Sequence, residues 1–291
     1  MKLGITGAGG KLGGNVVNHL SKRARAADIV AITRQPDKLA SVTAQGIDVR
    51  AGDFNEPAGL AKAFAGIDRL LIIPTGDLTP GVRPRHHRDA ILAAVKAGVG
   101  HITYISSLGC KPGKEDGILE THWATEQVLI NSGSVWTLLR MGPYAESLLD
   151  AAKNAVASGV YSAMNGAPAA WVVREDIAAA AAGILATEGH DGITYFATGP
   201  VSITPPEVAA TISKVLGKPV RFEPLSAEQQ QTNLNKAGLP PFLISPIIRF
   251  QTASRDGAFD LVSGDIGRLS GKRAESPEEF LMRNKSAFLG S

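Results

Sequence analysis

Short apolar runs alternate with helical patterns through the first half of the chain. The short runs predict buried strands, and the longer segments, in which apolar residues return every three or four positions, predict helices packed on them. The predicted strands are Lys2–Thr6, Ile29–Thr33, Ile47–Ala51, Leu70–Ile73, His101–Ile105 and Trp136–Leu139. The predicted helices between them are Lys11–Ala24, Asp37–Gln45, Pro57–Ala65, Arg85–Ala97 and Gly117–Ser132.

This alternation predicts an α/β fold with a Rossmann-like, doubly wound parallel sheet, because parallel crossovers are right-handed and usually carry a helix. After Arg140 the pattern becomes irregular and rich in proline and glycine. Helices are predicted there at Arg174–Thr187, Pro206–Leu216, Ala227–Ala237 and Pro277–Phe288, and strands at Gly192–Phe196 and Pro219–Phe222. We therefore predict a nucleotide-binding domain over residues 1–142 and a smaller, irregular α+β lobe over residues 143–291, some of whose helices return to the first domain.

A glycine turn follows the first predicted strand and opens the first predicted helix. Residues 6–13 read TGAGGKLG, with glycines at Gly7, Gly10 and Gly13, while Leu12 breaks the strict G-x-G-x-x-G form. Such a turn brings main-chain N–H groups against a pyrophosphate where a Cβ would obstruct, and the helix N-terminus favours the negative charge. Its position inside a strand–turn–helix unit predicts dinucleotide binding.

The residues after the second strand favour NADP over NAD. Asp28 lies at about the sequence distance of a ribose-binding acid, but it precedes the strand and therefore lies at its wrong end. Arg34 and Lys38 follow the strand and could hold a 2′-phosphate, although a solvated loop would give the same pattern. Asp53 and Phe54, after the third strand, are expected to flank the adenine.

Composition narrows the classes of partner. The formal net charge of +3 is too small to indicate nucleic-acid binding, and no run of about 18 apolar residues predicts a membrane span. The single cysteine, Cys110, excludes an internal disulfide and suits a reducing cytoplasm, where we expect the protein. A homodimer is compatible with the sequence. His86 and His87 lack a carboxylate pattern, so no metal site is predicted.

Seven segments, taken in order, resemble the NmrA-like atypical short-chain dehydrogenases. They are TGAGGKLG, ITRQPDKL, GDFNEP, LLIIPTGD, HHRDAILAAVKAGVGHITYISS, HWATEQVLINSG and LLRMGPYAES. Within that family the likeness is greatest to bacterial NAD(P)H:quinone reductases and triphenylmethane-dye reductases. It extends over about residues 1–225 and weakens towards the C-terminus.

The resemblance implies NADP(H) on the glycine turn, with Arg34 at the 2′-phosphate. The implied cofactor residues are Gly7, Gly10, Lys11, Leu12 and Gly13 at the turn, Ile73, Pro74 and Thr75 beside the ribose, and Met141, Gly142, Pro143 and Tyr144 beside the nicotinamide and substrate. Three positions depart from the family pattern. Gly9 replaces a usual Thr, Pro74–Gly76 replaces a serine-rich turn, and Met141 replaces a frequent Asn.

The proton donor of ketone-reducing dehydrogenases, a Tyr followed four residues later by Lys, is absent. Tyr104, Tyr144, Tyr161 and Tyr195 are followed at that spacing by Leu108, Leu148, Asn165 and Gly199. A quinone or a cationic dye accepts a hydride strongly, so positioning alone could supply most of its catalysis. The missing pair therefore favours such an acceptor over a simple ketone.

Three residues are candidate catalytic groups. His122 has Glu126 one helical turn on, which could orient the imidazole or raise its pKa, unless the two form a half-exposed surface pair. Ser106 ends the fifth strand, where it could contact the cofactor or a substrate hydroxyl, or simply cap a turn. Tyr144 could stack on a flat acceptor or fill the lobe interface.

The basic run Arg83–Arg88 precedes a predicted helix. We expect a solvated helix start there, and an anion-binding role for substrate or cofactor phosphate is the alternative. Cys110 is expected to be an unreactive thiol in a loop near the cleft.

Together these features predict an NADPH-dependent oxidoreductase that reduces a quinone or another conjugated, electron-poor aromatic compound. Two alternatives remain open from the sequence. One is a non-enzymatic NADP(H)-binding redox sensor that controls a partner. The other is a tailoring reductase acting on a ketone or a C=C bond.

Overall fold

The computed structural model describes residues 1–114 and 117–289 of the chain. The strands are β1 (Leu3–Ile5), β2 (Ile29–Thr33), β3 (Asp48–Ala51), β4 (Arg69–Ile72), β5 (His101–Ser107), β6 (Val135–Met141), β7 (Val160–Ala163), β8 (Ile193–Ala197) and β9 (Arg221–Pro224). The helices are α1 (Lys11–Leu20), α2 (Ala40–Thr43), α3 (Pro57–Phe64), α4 (Val82–Lys96), α5 (Ile118–Ile130), α6 (Ser147–Ser158), α7 (Arg174–Ala186), α8 (Pro205–Leu216), α9 (Ala227–Lys236), α10 (Pro241–Arg255), α11 (Asp265–Ser270), α12 (Pro277–Arg283) and α13 (Ser286–Leu289).

Parallel strands form a seven-stranded central sheet in the order β3-β2-β1-β4-β5-β6-β8 within the described ranges. The chain runs outwards from β1 to β3 and then returns to start again at β4. The strand order therefore reverses between β1 and β4. In open α/β sheets a crevice forms outside the carboxyl ends of the strands at such a point, and ligands bind there.

Neighbouring residues of each strand point to opposite faces of the sheet and enter two separate cores. On one face Ile5 and Leu71 pack with α1 and α7. On the other face Leu70 and Ile72 pack with α3, α4 and α5. Burial on both faces explains why these strands read as continuous apolar runs in the sequence.

The predicted Rossmann-like α/β class is confirmed, and all six strands predicted in the first half are present. The largest difference there concerns the predicted helix Asp37–Gln45, which is a 3-10 turn over Pro36–Leu39 followed by the four-residue α2. Helix α4 begins at Val82 rather than at the predicted Arg85.

The C-terminal part contributes to both regions of the protein. Strand β8 pairs with β6 at the edge of the central sheet, and α7 packs on α1. In contrast, β7 and β9 form a separate two-stranded sheet near a small core that contains Leu148 and Ile212. The division of the chain at residue 142 stays a prediction. No helix of the described residues has the length and apolar character needed to cross a bilayer.

Gly13 controls how closely α1 approaches the turn after β1. A Cβ at Gly13 would overlap the carbonyl group of Gly7, whereas a Cβ at Gly14 would make an ordinary 3.6 Å contact with the oxygen of Ala8. We expect Gly13→Ala to lower the free energy of unfolding by about 2 kcal/mol through overpacking. Urea denaturation of the wild-type protein and of Gly13→Ala measures this difference in the free energy of unfolding.

Gly14→Ala is the matched control, because it lies in the same helix and removes the same backbone freedom. It is expected to raise stability by up to about 1 kcal/mol through helix propensity. Equal effects of the two substitutions would contradict the close-approach argument.

Candidate cofactor and acceptor site

A cleft of about 410 Å³ opens at the carboxyl ends of β1 to β4, where the strand order reverses. The residues lining it come from the loops that follow these strands and from α4. They are Thr6, Gly7, Gly9, Gly10, Ile32, Thr33, Arg34, Gln35, Lys38, Leu39, Gly52, Asp53, Phe54, Asn55, Ile73, Pro74, Thr75, Gly76 and His86. The cleft therefore brings together nine residues of the predicted cofactor set: Gly7, Gly10, Arg34, Lys38, Asp53, Phe54, Ile73, Pro74 and Thr75.

The glycine turn forms one wall of the cleft. Gly7 has a φ of +65°, which strains any residue with a side chain, and its carbonyl accepts the N–H of Gly10 at 2.9 Å. Lys11, Leu12 and Gly13 do not line the cleft: the first is exposed and the other two are buried. Their predicted role, through main-chain groups, stays a prediction.

Gly9, the first departure from the family pattern, has a local explanation. A Cβ at Gly9 would lie 2.8 Å from the hydroxyl oxygen of Thr33 at the end of β2. Thr33 therefore occupies the space that a side chain at position 9 would need. A larger residue at position 9 would therefore require a smaller residue at position 33.

Arg34 and Lys38 lie exposed at the β2 end of the cleft, and no ion pair among the described residues involves either of them. Both positive charges are therefore available to an anion. Asp28 pairs instead with Arg25, with an oxygen–nitrogen distance of 2.7 Å, at the opposite end of β2. This arrangement agrees with the sequence argument for a 2′-phosphate.

Two side chains of helix α4 bind the main chain of the loop that follows β4. The N–H of Thr75 donates to Nε2 of His87 at 3.1 Å, and its carbonyl accepts from Nη1 of Arg83 at 2.7 Å. Arg83 is 9% exposed and His87 is fully buried. The expectation of a solvated helix start was therefore wrong for Arg83, His86 and His87, which are buried, whereas Arg85 and Arg88 are exposed as expected.

His122 belongs to the same buried network. Its Nε2 accepts from Nη2 of Arg83 at 2.8 Å, and its Nδ1 lies 2.9 Å from the hydroxyl of Tyr104. A guanidinium group only donates, so the single ring proton of His122 must be on Nδ1. By the same argument, the Thr75 N–H places the ring proton of His87 on Nδ1, 3.0 Å from Oγ1 of Thr125.

Both imidazoles are therefore neutral. Burial, with Arg83 nearby, holds the pKa of His122 and of His87 well below the usual value near 6.5. Burial also raises the pKa of the Tyr104 hydroxyl. No group of this network loses or gains a proton readily at neutral pH.

The predicted pairing of His122 with Glu126 was wrong, as was the alternative of a half-exposed surface pair. Glu126 is 1% exposed and accepts from Nε and Nη2 of Arg140 at 2.9 and 2.6 Å. It also accepts from the hydroxyl of Ser106 at 2.5 Å and from the thiol of Cys110 at 3.4 Å. Since its oxygens face these groups, Glu126 does not orient His122.

The Glu126 cluster fixes the carboxyl ends of β5 and β6. Ser106 is completely buried and donates its hydroxyl to Glu126, so its predicted contact with the cofactor or substrate stays a prediction. Burial raises the pKa of the Cys110 thiol to about 12. A thiol with such a pKa is a poor nucleophile at neutral pH.

The predicted acceptor segment, Met141 to Tyr144, begins at the last residue of β6, and none of its residues lines the described cleft. Gly142 donates its N–H to the carbonyl of Ala197 at 2.9 Å, so the chain remains tied to β8 there. Tyr144 is partly buried, and the guanidinium carbon of Arg174 lies 4.7 Å from its ring centroid. Met141, Pro143 and Tyr144 keep their predicted roles as predictions.

A family model described as NAD(P)H-binding matches residues 7–188. The chain belongs to this family. Quinone oxidoreductase 2 of Escherichia coli K12 is 38% identical over 260 residues, which cover 89% of this chain and 90% of the relative.

Solved structures of NAD(P)H-binding reductases share the whole fold. The E. coli NADPH-dependent quinone oxidoreductase complexed with NADPH has a TM-score of 0.90 at 35% identity, covering 97% of this chain and 99% of that one. The Citrobacter triphenylmethane reductase complexed with NADP(H) has a TM-score of 0.87 at 30% identity, with coverage of 97% and 99%. The predicted NmrA-like oxidoreductase family, with NAD(P)H as its cofactor, is confirmed.

A dinucleotide fits the residues that are present. The glycine turn leaves main-chain groups bare along one wall, and two unpaired positive charges lie at the β2 end. His86 lines the cleft, is 2% exposed and has no hydrogen-bond partner on either ring nitrogen. A buried imidazole without partners is costly unless a ligand supplies them.

Thr33, Gln35 and Asn55 line the cleft without having been predicted, and His86 was predicted only as part of the alternative anion-binding role of the basic run. A signal for His86 did exist. Arg83, His86 and His87 share the helical spacing of Ala90, Ile91 and Ala94, and all six are buried. Extending the apolar face of α4 back by two turns would have placed Arg83, His86 and His87 inside the protein.

The neutral state of His122 has a consequence for stability. Its pKa is lower in the folded protein than in the unfolded chain, so acidification below about pH 6.5 protonates the unfolded chain first and favours unfolding. We expect His122→Gln, which keeps an acceptor for Arg83, to lose less stability on acidification. The difference should be about 1 kcal/mol between pH 6.5 and 5.5.

Urea denaturation of both proteins at the two pH values measures this difference. Parallel pH profiles would contradict a neutral His122 in the folded state.

Proposed function

We propose that the chain is an NADPH-dependent reductase that transfers a hydride to a quinone or another conjugated, electron-poor aromatic acceptor. The observation that carries the proposal is the buried network bonded to the main chain of Thr75 in the cleft wall, in which the hydrogen-bonding groups of His122 and Tyr104 are occupied and hold their protons firmly. A site without a ready proton donor suits an acceptor whose reduced product is weakly basic. The names of the E. coli and Citrobacter relatives support this class of acceptor.

In this proposal the cofactor supplies the hydride, and the chain binds and orients both reactants. Arg34 and Lys38 hold the 2′-phosphate, and the glycine turn receives the pyrophosphate. His86 hydrogen-bonds the bound cofactor through its free ring nitrogens. Thr75, fixed by α4, sets the position of the ribose beside it, and Tyr144 offers a flat apolar surface to the acceptor.

A second candidate is reduction of a conjugated C=C bond. A Streptomyces griseus relative, 32% identical over 98% of this chain and 98% of its own length, is named (4-alkanoyl-5-oxo-2,5-dihydrofuran-3-yl)methyl phosphate reductase. That name describes a phosphate ester of an unsaturated lactone. Such a substrate also accepts a hydride into a carbonyl-conjugated system, so the same site chemistry would serve it.

The predicted cytoplasmic location and homodimer stay predictions.

Turnover with simple quinones tests the function. We expect the purified protein to oxidise one NADPH per quinone reduced, with rates that change less than about threefold between pH 6 and 8 because neither buried histidine titrates there. Absorbance at 340 nm follows the reaction. Tight NADPH binding without turnover of any quinone or unsaturated lactone would contradict the proposal.

Arg34 tests the choice of cofactor. We expect Arg34→Gln to lower kcat/KM for NADPH by roughly ten- to hundredfold through lost charge-assisted hydrogen bonds to the 2′-phosphate. The value for NADH should change less than about threefold, since NADH lacks that phosphate. Arg25→Gln, at the other end of β2, is the matched control and should leave both values unchanged. Equal losses with both cofactors would refute the assignment.

A further inference from the structure

Gly9 is a glycine that its own backbone does not require. Its φ is not among the positive values that favour glycine, in contrast to the φ of +65° at Gly7. A Cβ built at Gly9 would come within 4 Å of one residue of the described chain, Thr33, whose hydroxyl oxygen would lie at 2.8 Å and whose Cβ would lie at 3.7 Å. The absence of a side chain at Gly9 therefore makes room for one group, the hydroxyl of Thr33.

The side chain of Thr33 is held in its position on the cleft wall. Thr33 is the last residue of β2, and its main-chain carbonyl accepts from the N–H of Gly52 at 3.0 Å. The side chain is β-branched, so its χ1 rotation is restricted. Thr33 lines the cofactor cleft and is 8% exposed, and its hydroxyl oxygen lies beside the exposed main chain of Gly9, which lines the same cleft.

The proton of the Thr33 hydroxyl is available for a ligand. The hydroxyl oxygen accepts the N–H of Gln35 at 3.3 Å, and no group of the described residues accepts a hydrogen bond from it. Thr6, which follows β1 in the same cleft, differs in this respect. Its hydroxyl accepts the N–H of Ile73 at 2.9 Å and donates to the carbonyl of Leu71 at 3.3 Å. Thr6 therefore fixes the end of β4, whereas Thr33 keeps a free donor.

The surroundings of this hydroxyl favour an anion. Arg34 follows Thr33 directly, and the charges of Arg34 and Lys38 line the same cleft without an ion pair among the described residues. On its other side lies Gly9 of the turn that is proposed to receive the pyrophosphate. In NADPH the adenosine ribose joins the pyrophosphate to the 2′-phosphate. A donor between the two sites therefore faces this ribose and its 2′ substituent.

We propose that Thr33 is a specificity-determining residue whose hydroxyl donates a hydrogen bond to the 2′-phosphate of NADPH, and that position 9 is a glycine so that this hydroxyl fits. The inference rests on the proposed function, because it assigns a further residue to the same cofactor site. NADH carries a neutral 2′-hydroxyl in place of the phosphate, and a neutral group gains less from such a donor than an anion does. Thr33 thus acts together with Arg34 in favouring NADPH.

Thr33→Val tests the hydroxyl, because valine keeps the branched shape of threonine and removes the donor. The N–H of Gln35 loses a long hydrogen bond, but Gln35 is exposed and water can replace the acceptor. We expect the Kd of NADPH to rise about 10- to 100-fold, the usual effect of losing a hydrogen bond to a charged group. The Kd of NADH should change less than about threefold, since it lacks the phosphate.

Isothermal titration calorimetry with NADPH and with NADH measures both constants on the full chain, after circular dichroism and Tm have shown that each variant is folded. Thr33→Ser keeps the hydroxyl and should bind NADPH within about threefold of the wild-type protein. Thr211→Val is the matched control. It removes a hydroxyl of α8 that donates to the carbonyl of Glu207 at 2.8 Å and does not line the cleft, so both constants should stay unchanged.

A double substitution tests whether positions 9 and 33 share the space of one hydroxyl. Gly9→Ser alone should displace the Thr33 hydroxyl, and Thr33→Ala alone removes it, so each should weaken NADPH binding by at least about tenfold. In Gly9→Ser/Thr33→Ala the serine hydroxyl enters the space that Thr33 has left. The double variant should therefore bind NADPH at least about fivefold more tightly than either single variant, a strongly non-additive result.

Equal losses of NADPH and NADH affinity in Thr33→Val would overturn the proposal, because they would place the hydroxyl at the ribose or pyrophosphate that both nucleotides contain. Unchanged NADPH affinity in this variant, or additive losses in the double variant, would also overturn it. In these cases tight NADPH binding by the wild-type protein leaves the proposed function standing. A wild-type protein that binds neither nucleotide would refute the proposed function, and the assignment of Thr33 with it.

Discussion

The candidate site depends on two hydrogen bonds that hold the main chain of Thr75 from the side of α4. One fixes its N–H on His87 and the other fixes its carbonyl on Arg83. A loop after a strand would otherwise be among the more mobile parts of an α/β fold. Here it is anchored to buried side chains, and its cleft wall keeps its shape.

This anchoring determines the chemistry of the neighbouring groups. Because the Thr75 N–H and the Arg83 guanidinium can only donate, Nε2 of His87 and of His122 must accept, and neither ring can act as an acid without breaking the network. His87, His122 and Tyr104 could be mistaken for a set of titrating catalytic groups, but His122 and Tyr104 instead hold the guanidinium of Arg83 in place. The network therefore holds a positive charge behind the cleft wall and offers no mobile proton.

The sequence predicts the central sheet well, since strands buried on both faces carry an unambiguous apolar signal and the glycine turn marks where the first strand ends. It predicts less of the C-terminal part. Pro246 interrupts the helical pattern of α10, and α6 shows only three buried positions, Leu148, Ala152 and Ala155. At the site, Glu126 has the correct helical spacing to meet His122, but Arg140, on the adjacent strand, competes for it. Spacing along one helix carries no information about a charge supplied from a different element.

The place of β8 in the sheet has a consequence for the order of folding during synthesis. Until residues 174–186 have been made, the apolar side chains of α1 that α7 covers are open to water, and until residues 193–197 have been made β6 has a bare edge. Bare strand edges and apolar faces invite association with other chains. The growing polypeptide therefore has to carry its nucleotide-binding half in an incomplete state for about fifty residues beyond β6.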